Sequence, residues 1–101
     1  MKKKTGISAI IPTFNEALNI EAAIRSVDFA DEVIVIDSYS TDHTVKLASK
    51  HNVRLIQRVF DDFSSQKNHA IALAENDWVF ILDADERVPK ALKEEVLQTV
   101  K

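Results

Sequence analysis

Near its carboxyl end the sequence reads Trp78-Val79-Phe80-Ile81-Leu82-Asp83-Ala84-Asp85-Glu86-Arg87, an apolar run that stops abruptly at three acids. The apolar run is typical of a β-strand that is buried on both faces of a sheet. Asp83 and Asp85 lie two positions apart, so their side chains leave an extended backbone on the same side. Clustered carboxylates repel one another, and Mg²⁺ or Mn²⁺ relieves the repulsion because hard cations prefer oxygen ligands. The pattern indicates a metal site; the alternative is an acidic turn in which Asp85 or Glu86 begins the next helix.

Composition limits the classes of protein and partner. The 101 residues suffice for one domain with a modest core, over residues 1–101, and 46% apolar content indicates a globular fold. The net charge of -3 argues against a nucleic-acid partner, and the lack of cysteine excludes disulfides and thiolate metal sites. With no apolar run of about 18 residues and no signal-peptide pattern, we expect a cytoplasmic protein. Lys2-Lys3-Lys4 is interpreted as a solvated tail, with peripheral contact to the inner membrane as the alternative.

Four strand–helix units follow one another along the chain. We predict strands at 7–11, 32–36, 53–59 and 78–82, each followed by a helix after a few residues. Pro12 is expected to end the first strand because it has no N–H, Asn15 to cap the first helix, and Ser64 or Ser65 to cap the third. The pattern predicts an α/β fold with a mainly parallel open sheet, in which strands three, two, one and four lie side by side in that order.

The polar residues that follow the strands are the candidate ligand-binding groups, because ligands of such sheets bind beyond the carboxyl ends of the strands. Phe14 follows the first strand and offers a flat face to a nucleotide base, unless it is a core aromatic. Asp37 follows the second strand and can accept a hydrogen bond from a ribose hydroxyl or a base N–H. The only glycine, Gly6, precedes the first strand, so a glycine-rich phosphate loop is excluded.

Three segments together resemble the family 2 glycosyltransferases of the GT-A fold. They are Ile10-Ile11-Pro12-Thr13-Phe14-Asn15-Glu16, Val35-Ile36-Asp37-Ser38-Tyr39-Ser40-Thr41-Asp42 and Asp83-Ala84-Asp85-Glu86. The resemblance extends over essentially the whole chain and implies the Rossmann-like N-terminal half of that fold. The V-I-D-S-x-S-x-D and Q-K-N-x-A wording is most similar to bacterial enzymes that add a hexose to the lipopolysaccharide inner core.

The resemblance implies a binding site for a nucleotide-diphosphate sugar, with UDP as the expected nucleotide. Pro12, Phe14 and Glu16 would line the pocket for the base and ribose, and Asp37 would bond the base or the ribose. The second motif more often carries paired acids in the family, and in this chain Ser38 replaces the second acid.

The resemblance also assigns the diphosphate end of that site. Asp83 and Asp85 match the DxD element, and Asp85 would be the direct ligand of the Mn²⁺ or Mg²⁺ ion on the diphosphate. Lys67 lies where family members often place a basic residue near the nucleotide; the alternative is a solvated lysine on a helix.

Family 2 domains are longer than this chain, and their second half carries the site for a saccharide or lipid-linked acceptor and the general base of inverting transfer. We therefore assign no catalytic residue, and we expect a partial domain that is inactive alone and that forms homo-oligomers through the sheet edge at 78–82. The alternative is a toprim-like domain with Mg²⁺-dependent phosphodiester chemistry. The acidic net charge and the lack of a glycine beside Glu16 argue against it.

Overall fold

The computed structural model describes residues 4–100 and contains four strands that alternate with four helices. The elements are β1 (Lys4–Thr13), α1 (Ile20–Ser26), β2 (Glu32–Asp37), α2 (Thr44–Ala48), β3 (Arg54–Gln57), α3 (Phe63–Leu73), β4 (Asn76–Ile81) and α4 (Lys90–Val100). The strands form one sheet in the order β3-β2-β1-β4, and each neighbouring pair is parallel. The predicted α/β class and the predicted strand order are confirmed.

The core consists of two apolar layers, one on each face of the sheet. On one face, Ala9, Ile11 and Val35 pack against the buried side of α1, which includes Ile20 and Ala23. The other layer contains Ile10, Ile34 and Ile36 from the sheet, and Ala70 and Ala74 from α3 and its end. The apolar runs of β1 and β2 are continuous because both faces of these two central strands are covered.

The prediction that Pro12 ends the first strand is wrong. The strand continues to Thr13, and Pro12 pairs with Ile36 of β2. The carbonyl of Thr13 accepts a hydrogen bond from Ser38 on the β2 side. Because adjacent residues of a strand face opposite neighbours, the missing N–H of Pro12 faces the β4 side, where pairing with β1 ends at Ile10. The Leu82 N–H still donates to the Ile10 carbonyl on that side, so the proline limits the pairing with β4 and leaves the pairing with β2 intact.

The predicted helix caps are also wrong. Asn15 has a φ of 54°, in the left-handed region, and lies outside α1, whose first residue is Ile20. The third helix is capped by Asp62, whose carboxylate accepts a hydrogen bond from the Ser65 N–H at 2.7 Å, and not by Ser64 or Ser65. Asp, Asn and Ser are all good caps, so composition alone could not choose among neighbours.

The fourth strand is only partly buried, where the apolar run predicted burial on both faces. It lies at one edge of the sheet, and the side chains of Trp78 and Ile81 are 44% and 37% exposed. The amphipathic helix α4 has no buried residue. An apolar run shows that a strand can be covered on both sides, but within residues 4–100 β4 has a neighbouring strand on one side only. Within the same residues, no helix has both the length and the apolar character that a membrane crossing requires.

Candidate nucleotide-binding site

An open cleft of about 560 Å³ lies at the carboxyl edge of the sheet, between the loops that follow β1, β2 and β4 and the start of α3. Its lining includes five of the seven predicted site residues: Pro12, Phe14, Glu16, Asp83 and Asp85. A larger hollow of about 660 Å³ lies at the opposite end of the sheet, beside the first residues of β2 and β3. We place the site in the smaller cleft because the predicted aromatic and acidic side chains meet there.

The acidic side of the cleft is a tight turn after β4. Leu82 and Ala84 are buried, whereas Asp83 and Asp85 are exposed, so the two carboxylates alternate with buried apolar residues. The Glu86 carboxylate accepts a hydrogen bond from the Asp83 N–H at 3.0 Å, and the Glu86 N–H donates to the Asp83 carbonyl at 2.9 Å. The turn thus presents both aspartates to the cleft on a backbone that is held at each end.

The carboxylates of Asp83 and Asp85 suit a divalent cation whose other ligands include a bound phosphate. Among residues 4–100, no three His, Cys, Asp or Glu side chains are arranged to enclose a metal by themselves. Mg²⁺ is commonly held by only one or two carboxylates, with waters and substrate phosphates completing its shell. Asp83 and Asp85, both exposed at the cleft, could supply those carboxylates.

Asp37 lies outside this cleft lining. It is fully buried at the end of β2, and its carboxylate accepts hydrogen bonds from the Thr13 hydroxyl at 2.7 Å, the Ser40 N–H at 2.8 Å and the Gln57 amide at 3.4 Å. These contacts join β1, β3 and the loop after β2. The neighbouring Ser38 lines the cleft instead. The predicted contact of Asp37 with a base or ribose stays a prediction.

The loops after β1 and β2 hold each other in place. The Asn15 side-chain carbonyl accepts hydrogen bonds from the N–H groups of Thr41 and Asp42, at 2.8 and 3.3 Å. The Thr44 hydroxyl accepts a hydrogen bond from the Glu16 N–H at 2.8 Å and donates to the Asp42 carboxylate. That hydroxyl is the main reason that the pKa of Asp42 lies below its usual value. Phe14 and Glu16 are therefore carried by a cross-linked pair of loops.

Three residues of the cleft lie outside the three sequence segments that carry the family resemblance. Phe60 and Phe63 form an edge-to-face pair with ring centres 5.1 Å apart, and both rings are exposed. Gln66 is 3% exposed, and its side-chain carbonyl accepts a hydrogen bond from the Ser38 hydroxyl at 3.0 Å. Phe60 and Phe63 form an aromatic wall of the cleft. In the sequence they are two phenylalanines in an otherwise polar segment, and this pattern could have indicated the wall. Lys67 follows Gln66 on α3 but does not line the cleft.

Comparison with known proteins decides the family. The model for "Glycosyl transferase family 2" matches residues 8–101. The chain belongs to glycosyltransferase family 2. An uncharacterized glycosyltransferase from Rickettsia bellii is 45% identical over 91 residues, which are 89% of this chain and 31% of the relative. The lipopolysaccharide core biosynthesis glycosyltransferase LpsC from Rhizobium meliloti is 32% identical over 99 residues, covering 93% of this chain and 37% of LpsC.

Solved structures of the same architecture agree with this family 2 assignment. Glucosyl-3-phosphoglycerate synthase from Mycobacterium tuberculosis, in complex with Mn²⁺, UDP and glucosyl-3-phosphoglycerate, superposes with a TM-score of 0.69 and 32% identity. The match covers 78% of this chain and 33% of the synthase. A complex of that synthase with UDP gives a TM-score of 0.73 with 30% identity, over 88% of this chain and 37% of the synthase. The family 2 chain thus spans about one third of the relatives it matches, and the family assignment favours the glycosyltransferase interpretation over the toprim-like alternative.

Proposed function

We propose that this chain is the donor-binding part of a family 2 glycosyltransferase and that it binds UDP or a UDP-sugar together with Mn²⁺ or Mg²⁺. The observation that carries the proposal is the meeting of Asp83 and Asp85 with Phe14 in one open cleft beyond the parallel strands. This arrangement offers carboxylates to a metal-bound diphosphate at one side and an aromatic face to a base at another. The mycobacterial synthase, which shares the fold, was crystallised with UDP and with Mn²⁺ or Mg²⁺.

Each site residue has a distinct part in this proposal. Asp83 and Asp85 would hold the cation, which when bound neutralises the diphosphate and stabilises it as a leaving group. Phe14 would stack on the base, with Pro12 and Glu16 beside it. We retain Asp37 and Lys67 as candidate nucleotide ligands, although neither lines the cleft in this structure.

The complete reaction is proposed from the family. We propose an inverting transfer of a sugar to a saccharide or lipid-linked acceptor. The chain matches about one third of a family 2 enzyme, and we propose that the acceptor site and the general base lie in the remaining part. The resemblance to LpsC supports a role in lipopolysaccharide biosynthesis, on the cytoplasmic side of the inner membrane.

Titration calorimetry with UDP tests the proposal. We expect binding in the presence of Mn²⁺ that EDTA removes. Asp85→Ala should abolish that binding, while the melting temperature holds or rises because the variant relieves repulsion between neighbouring carboxylates. Asp77→Ala is the matched control, since Asp77 is an exposed aspartate near the start of β4, whereas Asp85 lies in the turn that follows this strand. UDP binding of equal strength in EDTA would refute the proposal.

A further inference from the structure

We propose that Arg87 is a positioning residue that fixes the acidic turn, Asp83–Glu86, so that Asp83 and Asp85 are arranged for the cation before it binds. The inference rests on the proposed function, because it concerns the same metal site. It assigns a role to a residue that the motif comparison leaves without one.

The guanidinium of Arg87 contacts both the acidic turn and the turn that precedes α1. Its Nη1 donates to the carbonyls of Ala84 at 2.7 Å and Glu86 at 2.6 Å. Its Nη2 donates to the Asn19 side-chain oxygen at 3.1 Å and approaches the Asn19 carbonyl at 3.4 Å. Ala84 is the residue between the two aspartates, and it is 1% exposed. Arg87 therefore acts as a clamp on the backbone of the residue that lies between the two aspartates.

A second step connects this clamp to the nucleoside side of the cleft. The Asn19 amide donates to the Glu16 carboxylate at 3.2 Å, and the Asn19 N–H donates to the Glu16 carbonyl at 2.9 Å. Glu16 lines the same cleft as Asp83 and Asp85. A continuous series of hydrogen bonds thus runs from the acidic turn through Arg87 and Asn19 to Glu16.

The chemistry of arginine suits this task. Its planar fork can bind several acceptors in fixed directions, whereas a lysine ammonium is a single point charge that cannot span the same set. Its positive charge also lies beside a turn with three acids, where it offsets part of their mutual repulsion before the cation arrives. Groups that orient metal ligands without contacting the metal typically contribute about 10- to 100-fold to metal affinity.

The test compares Arg87→Gln and Arg87→Lys with Arg54→Gln. Arg54 is the matched control because it donates to the Leu73 carbonyl at 2.8 Å and pairs with Glu32 at 3.6 Å, at the opposite end of the sheet. We expect Arg87→Gln to raise the Mn²⁺ concentration for half-maximal UDP binding by about 10- to 100-fold. Arg87→Lys should raise this concentration by nearly as much. Without ligand, the amides of Asp83 and Glu86 should exchange hydrogen faster in both Arg87 variants. Arg54→Gln should change neither quantity.

The outcomes separate this inference from the proposed function. If the unmodified chain shows no Mn²⁺-dependent UDP binding, the proposed function fails and the inference fails with it. If the unmodified chain binds but Arg87→Gln keeps the same Mn²⁺ requirement, the inference alone is overturned, even where the melting temperature falls. Should Arg87→Gln not fold, Arg87→Lys is the fallback variant, since it keeps the positive charge but cannot span the same set of acceptors. An increase in its Mn²⁺ requirement supports the inference, and an unchanged requirement overturns it.

Discussion

Asp37 shows how one buried carboxylate can hold several segments together. Its hydrogen bonds reach Thr13 of β1, Ser40 of the following loop and Gln57 of β3. We predict that Asp37→Ala lowers the free energy of unfolding by about 1–3 kcal/mol, because it leaves buried donors such as the Thr13 hydroxyl without a partner. Urea unfolding measures the change, with Asp77→Ala as an exposed control. An Asp37→Ala protein of unchanged stability that has lost UDP binding would instead identify Asp37 as a ligand.

Asp61 carries the largest pKa shift of the described side chains. Both terminal nitrogens of Arg58 donate to its carboxylate, at 2.7 and 3.1 Å, and lower its pKa from 3.8 to about 2. A folded-state pKa below the unfolded value means that the pair stabilises the fold above pH 3.8 and that this contribution is lost as pH falls through about 2. Because the pair is exposed, solvent keeps the contribution small.

We therefore predict that the Asp61 carboxyl titrates near pH 2 in NMR and that Arg58→Gln returns its midpoint toward 3.8. Asp61 follows Phe60 of the aromatic wall, so this pair holds the loop that carries the ring. The Phe60 ring signals should broaden or shift over the same pH range in the unmodified protein. A midpoint near 3.8 in the unmodified protein would contradict the bidentate contact.

At the scale of the elements, the sequence predicted the interiors of strands and helices better than the residues at which they begin and end. The run from Val33 to Ile36 identified β2, since both faces of a central strand are covered. The ends depended on partners that no local pattern contains. Asn15 looked like a helix cap, but its acceptor is used by Thr41 and Asp42 of another loop. Long-range hydrogen bonds of this kind decide where a helix begins.

Asn15 also provides a test of that loop. Its left-handed φ of 54° costs a residue with a Cβ atom about 1–2 kcal/mol, and asparagine tolerates it better than most. We predict that Asn15→Ala is less stable than Asn15→Gly, because both lose the contacts with the loop after β2 but only alanine adds strain. Thermal unfolding of the two variants beside the unmodified chain measures the difference. Equal stabilities would show that the backbone leaves the left-handed region at little cost.

The assembled site shows the limit of prediction at the scale of the whole molecule. The β1 and β4 motifs were placed correctly because the carboxyl ends of parallel strands share one edge, and this brought Phe14 and Asp85 into one cleft. The positions of Phe60, Phe63 and Gln66 in the cleft depend on how α3 packs across the sheet, which no spacing in the sequence reveals. The position of Asp37 behind Ser38 likewise depends on contacts with β1 and β3.

The edge formed by β4 leads to a prediction about assembly. The strand pairs with β1 on one side, and no strand within residues 4–100 pairs with its other side. Its Trp78 side chain is 44% exposed, and the adjoining α4 buries none of its residues. Unpaired N–H and C=O groups beside exposed apolar side chains form a template for pairing with another chain. We therefore predict dimers or higher oligomers that join through this edge.

Light scattering over a concentration series measures this assembly. Trp78→Lys should shift the chain toward monomer, because two lysines would face each other across a joined edge and each would have to lose its water. Leu18→Lys is the control: its side chain is 98% exposed on the turn before α1 and is not part of the β4 edge, so the same change should leave the mass unchanged. UDP binding should persist in both variants, since neither residue lines the cleft. A monomeric unmodified chain at high concentration would contradict self-association. Equal dissociation of both variants would instead locate the association on a surface other than the β4 edge.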